Sequence, residues 1–231
     1  MILVVFDIDG TLTDSVKAHQ DSFCKSYSSF EIQNLNTDWS SYTHHSDSWI
    51  FGEVIRQNFK RDATDKEKSD FAIALNDNFN LYTSKHPISE IPGAKIFINN
   101  IKDSAEIGYC LATGSLRDPA IKKLKCLELE YPKDLLVTAS EYETREEIVG
   151  TAIEKAMGYY GVDEFEHIFS IGDGYWDMKT AEKLKIEFIG IASDEKAKQL
   201  KNAGCANLYD NFMNQEITNH IIGRSKLRRS T

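Results

Sequence analysis

The sequence predicts an α/β protein: a doubly wound, Rossmann-like parallel sheet with a mainly helical segment inserted near its start. Three observations carry that expectation. An apolar, β-rich run, Ile2-Leu-Val-Val-Phe6, opens the chain and ends at a polar turn, the pattern of a strand buried on both faces. Apolar runs at residues 107–112, 135–137, 167–171 and 187–191 alternate with helical stretches, as in a parallel sheet built from β-α-β units. Between the first run and the others, residues 15–87 are polar and helical in texture, without a convincing strand.

Taken in order, residues 7–14 lie at the carboxyl edge of the first strand. The helical segment has aromatic clusters around Phe23, Trp39 and Trp49. Within it, Thr64-Asp-Lys-Glu67 reads as a capping box that opens a helix through Phe71, Leu75 and Phe79, spaced by four along one face. Ile91-Pro-Gly93 marks the return to the α/β pattern, with a helix over Ile96, Phe97 and Ile101. A second capping box, Thr144-Arg-Glu-Glu147, starts a helix through Ile148, Ala152, Ile153 and Ala156. The expected division is a catalytic core of residues 1–14 and 91–231, and a helical cap of residues 15–90.

The 231 residues suffice for a core with a smaller accessory domain, and 41% hydrophobic content suits a folded chain. A net charge of −9 argues against nucleic acid or an anionic membrane as partner, since such binding draws on excess Lys and Arg. An anionic substrate then needs a local positive device. Cys24, Cys110, Cys126 and Cys205 are far apart and show no metal-ligand spacing, so reduced thiols in a cytoplasmic protein are expected. No secretory h-region is visible, and no stretch nears the roughly 20 apolar residues of a membrane span. The basic run within residues 223–231 is expected to be a frayed, solvated end.

Three motifs fall where an open α/β sheet binds ligands, beyond the carboxyl ends of its strands. They are Asp7-Ile-Asp9-Gly-Thr-Leu-Thr13, Thr113-Gly-Ser115 and Gly172-Asp-Gly-Tyr-Trp-Asp177. Together they suit phosphoryl transfer, where an anionic nucleophile must reach an anionic group. Asp7 can attack phosphorus and form an acyl-phosphate. Asp9 can protonate the ester oxygen and then deprotonate water. Asp173 and Asp177 add the oxygen ligands that Mg2+ prefers. Thr113 offers a hydroxyl to phosphate, and Gly114 lets backbone N–H groups approach. Arg145 can hold Asp7 and the phosphoryl oxygens.

This ordered set resembles the haloacid dehalogenase superfamily of phosphatases, in its phosphoglycolate phosphatase-like and β-phosphoglucomutase-like branch with an inserted helical cap. The likeness extends over nearly the whole chain. It implies Asp7 as nucleophile and Asp9 as acid/base, with phosphate held by Thr113, Gly114, Ser115, Gly10 and a Lys or Arg. It also implies Mg2+ held by Asp7, by Asp173 and by the backbone carbonyl of Asp9, with Asp177 supporting the metal's waters. For the basic residue, Arg145 is placed ahead of Lys133.

Plainer readings stand beside these. Thr113 and Ser115 could cap the next helix, and for Ser115 that is the preferred reading. Arg145 could be a solvated residue paired with Glu141 or Glu146. His44 and His45 lack partners for a metal site and are expected on the surface or facing substrate. Trp39, Tyr42, Trp49 and Phe51 are expected mostly in the cap's own core, while Tyr175 and Trp176 either wall the metal site or pack under the loop. The expected activity is a Mg2+-dependent phosphatase acting on a small phosphorylated metabolite. The alternatives are a phosphosugar mutase using the same intermediate and a non-catalytic phospho-accepting or ligand-binding module.

Overall fold

A computed structural model describes residues 1–227. Strand β1 (Ile2–Phe6) is buried along its whole length. Ile2, Val4 and Phe6 enter one apolar layer with Phe97, Ile98 and Leu124, while Leu3 and Val5 enter the opposite layer with Ile148, Ala152 and Ala156. Successive side chains point to opposite faces and both faces are covered, so every position is apolar. Beyond β1 the chain leaves the sheet. There β2 (Thr13–Asp14) pairs antiparallel with β3 (Ser89–Glu90), Thr13 facing Glu90. This ribbon was absent from the sequence expectation, because two polar residues per strand give no alternation to read.

Helices α1 (Val16–Lys25), α2 (Asp47–Phe59) and α3 (Asp65–Lys85) lie between those two strands and form the cap. They share a core that includes Phe23, Tyr27, Tyr42, Ile50, Phe51, Phe71 and Leu75. The Thr64–Glu67 capping box opens α3, and Phe71, Leu75 and Phe79 are buried along it. Tyr42 and Phe51 are thus core residues, whereas Trp39 is only half-buried at the margin.

The chain returns through α4 (Ala94–Lys102), β4 (Ile107–Thr113), α5 (Arg117–Cys126), β5 (Leu136–Thr138) and α6 (Arg145–Tyr160). It ends with β6 (His167–Gly172), α7 (Tyr175–Leu184), β7 (Glu187–Ile191), α8 (Asp194–Asn202), β8 (Leu208–Tyr209) and α9 (Gln215–Leu227). The six-stranded sheet has the order β5-β4-β1-β6-β7-β8, all parallel. Strands are added outward from β1 through β4 to β5, and the chain then crosses back to place β6 on the other side of β1. A crevice opens beyond the carboxyl ends at such a reversal. In register, Phe6 faces Leu111 and Ile171, which brings Asp7, Thr113 and Asp173 to one edge.

Among the described residues no helix is long and apolar enough to cross a membrane. All four cysteines are free. The expectation for the basic C-terminal run concerns side chains outside the described residues.

Candidate active site

Asp7, Asp173 and Asp177 are buried at the carboxyl edge of β1 and β6, and one carboxylate oxygen from each lies within 4.8 Å of the others. Arg145, the first residue of α6, is brought to them because the Thr144–Glu147 capping box starts that helix at the sheet edge. Its Nη1 donates to Asp7 Oδ1 at 3.2 Å, and its Nη2 donates to Asp177 Oδ1. Arg145 is 5% exposed, and Glu141 and Glu146 pair instead with Arg117 and with His44 and Lys183, which sets aside the reading of Arg145 as a solvated helix residue. Lys133 is exposed in a turn before β5, at the amino edge of the sheet and away from the carboxylates. Lys196 of α8, which the sequence reading passed over, donates to Asp173 Oδ2.

Burial pushes the Asp7 carboxyl up to about 7 against the opposing charge of Arg145, with Asp177 and Asp9 adding to the rise. Burial likewise pushes Asp173 up to about 6, opposed by Lys196. Asp177 is raised by burial too, with Arg145 opposing. Two cations are therefore too few for three buried carboxylates, since crowded like charges favour protonation. An all-oxygen, electron-rich cluster of this kind fits a hard divalent cation such as Mg2+.

Asp9 points the other way, into a clamp. Its Oδ1 accepts from Ser15 at 2.6 Å, and its Oδ2 accepts from Ser115 at 2.7 Å and from Lys123 Nζ at 2.6 Å. Burial would raise Asp9, but the charge of Lys123 and these hydrogen bonds outweigh it and hold the carboxyl below its ordinary range. Lys123 has no exposed surface. Its three N–H protons meet three acceptors: Asp9, Ser115 Oγ at 2.7 Å and His19 Nδ1 at 3.1 Å. With Nδ1 accepting, His19 donates through Nε2 to Asp47 Oδ1 at 2.8 Å. The chain Asp9–Lys123–His19–Asp47 thus runs from core to cap. Ser115 serves this clamp, and Leu116 rather than Ser115 is the N-cap of α5, so its expected capping role is corrected.

Residues 45–48 bring the start of α2 down onto the core. Asp47 N donates to Gly114 O at 2.7 Å, and Asp47 Oδ2 accepts from Leu116 N at 2.7 Å. Ser46 Oγ donates to the Glu143 carbonyl. Gly114 is needed here because a methyl group would overlap the His45 carbonyl. Gly10 adopts φ +74°, and a methyl group there would overlap the Asp173 carboxylate, so only glycine suits both backbone and site. The cavity between cap and core, whose empty space of about 730 Å3 is in part open to solvent, is lined by Asp7, Asp9, Thr113, Gly114, Ser115 and Arg145, among others. Thr113 is 1% exposed and its Oγ1 accepts from Ser115 N at 3.2 Å.

His45 lines the cavity and stacks on Trp176, with ring centroids 3.7 Å apart. Burial, then the charge of Arg145, lowers His45 to about 4, keeping it neutral. His44 lies outside this wall beside Glu146, and Tyr175 is exposed. The sequence reading missed Lys123, His19, Asp47 and Lys196. For Lys123 a signal existed: it shares one buried helical face with Ala120, Leu124 and Leu127, and a lysine there asks for a buried partner.

Carboxylates thus meet a buried arginine at the carboxyl edge of a doubly wound sheet, beneath a helical cap. The match to the family described as haloacid dehalogenase-like hydrolase spans residues 4–191, and the chain belongs to that family. No curated protein matches it. Solved structures share the fold. A hydrolase from Pseudomonas syringae is 22% identical over 96% of this chain and 99% of that one, with a TM-score of 0.73. A candidate beta-phosphoglucomutase from Bacteroides vulgatus is 21% identical over 98% and 90%, with a TM-score of 0.74. CbbY from Rhodobacter sphaeroides, solved in complex with phosphate, is 17% identical over 92% and 95%, with a TM-score of 0.66.

Proposed function

We propose that this protein is a Mg2+-dependent phosphatase that hydrolyses a small phosphorylated metabolite in the cytoplasm through an aspartyl-phosphate on Asp7. The observation that carries this reading is the buried contact of Arg145 with both Asp7 and Asp177, beside Asp173. It sets a nucleophile, a fixed cation and a cation-binding carboxylate cluster around one point. Residues 1–14 and 91–231 form the catalytic core, and residues 15–90 close over it.

Mg2+ would be held by Asp7, Asp173 and the backbone carbonyl of Asp9, with Asp177 in support, and would neutralise the phosphoryl oxygens. An Asp7 carboxylate oxygen attacks phosphorus, and the bond from phosphorus to the ester oxygen breaks. Asp9, ionised while clamped by Lys123, turns from that clamp, takes up a proton from solvent and gives it to the departing oxygen. In the second half, Asp9 takes a proton from water, whose oxygen attacks phosphorus and releases inorganic phosphate and the Asp7 carboxylate. Arg145, Thr113 and the backbone around Gly10, Gly114 and Ser115 hold the phosphoryl oxygens. The cap's seat on Gly114 and Leu116 excludes bulk water.

The direct test is phosphate release from a broad panel of phosphorylated metabolites in Mg2+, with wild type and Asp7→Asn compared. Asp7→Asn is expected to fold and to be inactive; a variant that keeps most of its turnover ends the proposal. A mutase would use the same first half. Free phosphate rather than an isomeric sugar phosphate, from a hexose 1-phosphate with traces of bisphosphate, separates the two.

A further inference from the structure

The cap side of the cavity is walled by one stripe of α1. Val16, His19, Gln20 and Phe23 all line it, at the i, i+3, i+4, i+7 spacing of a single helical face. Trp39 and Ile50 continue that wall. Among the described residues, none of the lysines or arginines between positions 15 and 90 lines the cavity. The cations that do, Arg145 and Lys196, belong to the core and are held on Asp7, Asp177 and Asp173. His19 has both ring nitrogens engaged, by Asp47 and Lys123. The acidic residue that the cap adds to the lining is Asp47, whose two carboxylate oxygens are taken up by His19 Nε2 and Leu116 N. A second phosphate or carboxylate on the substrate would meet no lysine or arginine on the cap side of the cavity.

The same wall is rich in flat rings. Phe23 and Trp39 stand edge to face with centroids 5.6 Å apart, and the stacked His45–Trp176 pair bridges cap and core. Gln20 is the cavity's unengaged amide: among the described residues it has no hydrogen-bond partner. It offers a donor and an acceptor next to the rings. Apolar pockets with few placed polar groups orient ligands in this way.

We propose that the substrate is a monophosphate ester of an uncharged alcohol carrying a flat ring, the ring lying against Trp39, which Phe23 backs, with a polar edge on Gln20. This rests on the hydrolase reading above and narrows its substrate class. It also disfavours a mutase, whose doubly phosphorylated intermediate would need a second cationic seat.

The test compares matched esters: benzyl against ethyl phosphate, uridine 5′-monophosphate against ribose 5-phosphate, and fructose 1,6-bisphosphate. Wild type is read by kcat/KM in Mg2+, and Asp7→Asn by Kd from calorimetry, which does not depend on turnover. Each ring-bearing monophosphate is expected to lead its ring-free partner by about tenfold or more in both readings, the scale of one ring stacked on an aromatic side chain. Trp39→Ala should shrink that ratio, and a ratio taken on one preparation is insensitive to the fraction folded. Gln20→Arg, which adds a cap cation, should raise affinity for fructose 1,6-bisphosphate. A bisphosphate preferred by wild type, or ring and ring-free esters treated alike, overturns the inference. Absence of phosphate release from every ester, with ring-bearing monophosphates still bound tightest, overturns the hydrolase reading and leaves the ligand class standing.

Discussion

Lys123 reaches the Asp9 carboxylate at 2.6 Å from a side chain with no exposed surface. A lysine buried this completely is held by its partners, since an unpaired ammonium in the interior carries a large desolvation penalty.

Lys123→Met should therefore destabilise the fold by about 3–5 kcal/mol, the range for removing one member of a buried ion pair. Denaturant unfolding measures it. Asp9→Asn added to Lys123→Met should cost little more, because the partner charge is already lost. Additive losses in that cycle would show that the two side chains are not coupled.

Asp9→Asn should lower turnover of alkyl phosphates by about 10²–10⁴-fold, the usual contribution of a positioned acid. Aryl phosphates have better leaving groups and should lose less. Equal losses on both classes, from kcat on matched esters, would remove Asp9 from the acid role.

Arg145→Lys keeps the charge but replaces two nitrogens that serve Asp7 and Asp177 separately. A single ammonium cannot reproduce that fork. The expected loss in kcat/KM is about 10²–10³-fold, comparable to losing one donor to the transition-state oxygens. Retention of near wild-type kcat/KM would assign Arg145 a structural part only.

Stability without Mg2+ should depend on pH in a set direction. The carboxyls of Asp7 and Asp173 sit above their ordinary 3.8, at about 7 and about 6. Groups raised on folding contribute stability that is present below the ordinary value and is lost as pH climbs through the raised one. The metal-free Tm should then fall as pH rises from about 4 to 7, and the Tm gain on adding Mg2+ should grow over that window as the cation displaces protons. Asp9 works oppositely: its stabilisation is present above 3.8 and is lost only as pH falls through its depressed value. A Mg2+-dependent Tm gain that is flat with pH would show that protons and cation do not compete at these carboxylates.

Much of the fold and part of the candidate site were legible along the chain. Ile2 to Phe6 announced a strand buried on both faces, and the Thr64 and Thr144 capping boxes announced α3 and α6 at the positions where they begin. Asp7, Asp9, Thr113 and Asp173 were legible because strand ends and their first loop residues share one edge of a parallel sheet. Those signals are local: period, cap and turn chemistry act over a few residues. The β2–β3 ribbon and β8 were not legible, being two residues each and held by pairing across distant chain.

Contacts between distant segments settled the rest. Arg145 was placed ahead of Lys133 by its position at a helix start, and the direction of the sheet shows that the first faces the carboxylates while the second lies at the opposite edge. Ser115 looked like a cap until Asp9, 106 positions away, claimed its hydroxyl. Lys123, His19 and Asp47 are ordinary residues of three separate helices. Burial takes water away from Lys123 and makes Asp9 and His19 its acceptors, a condition that no single stretch of sequence contains.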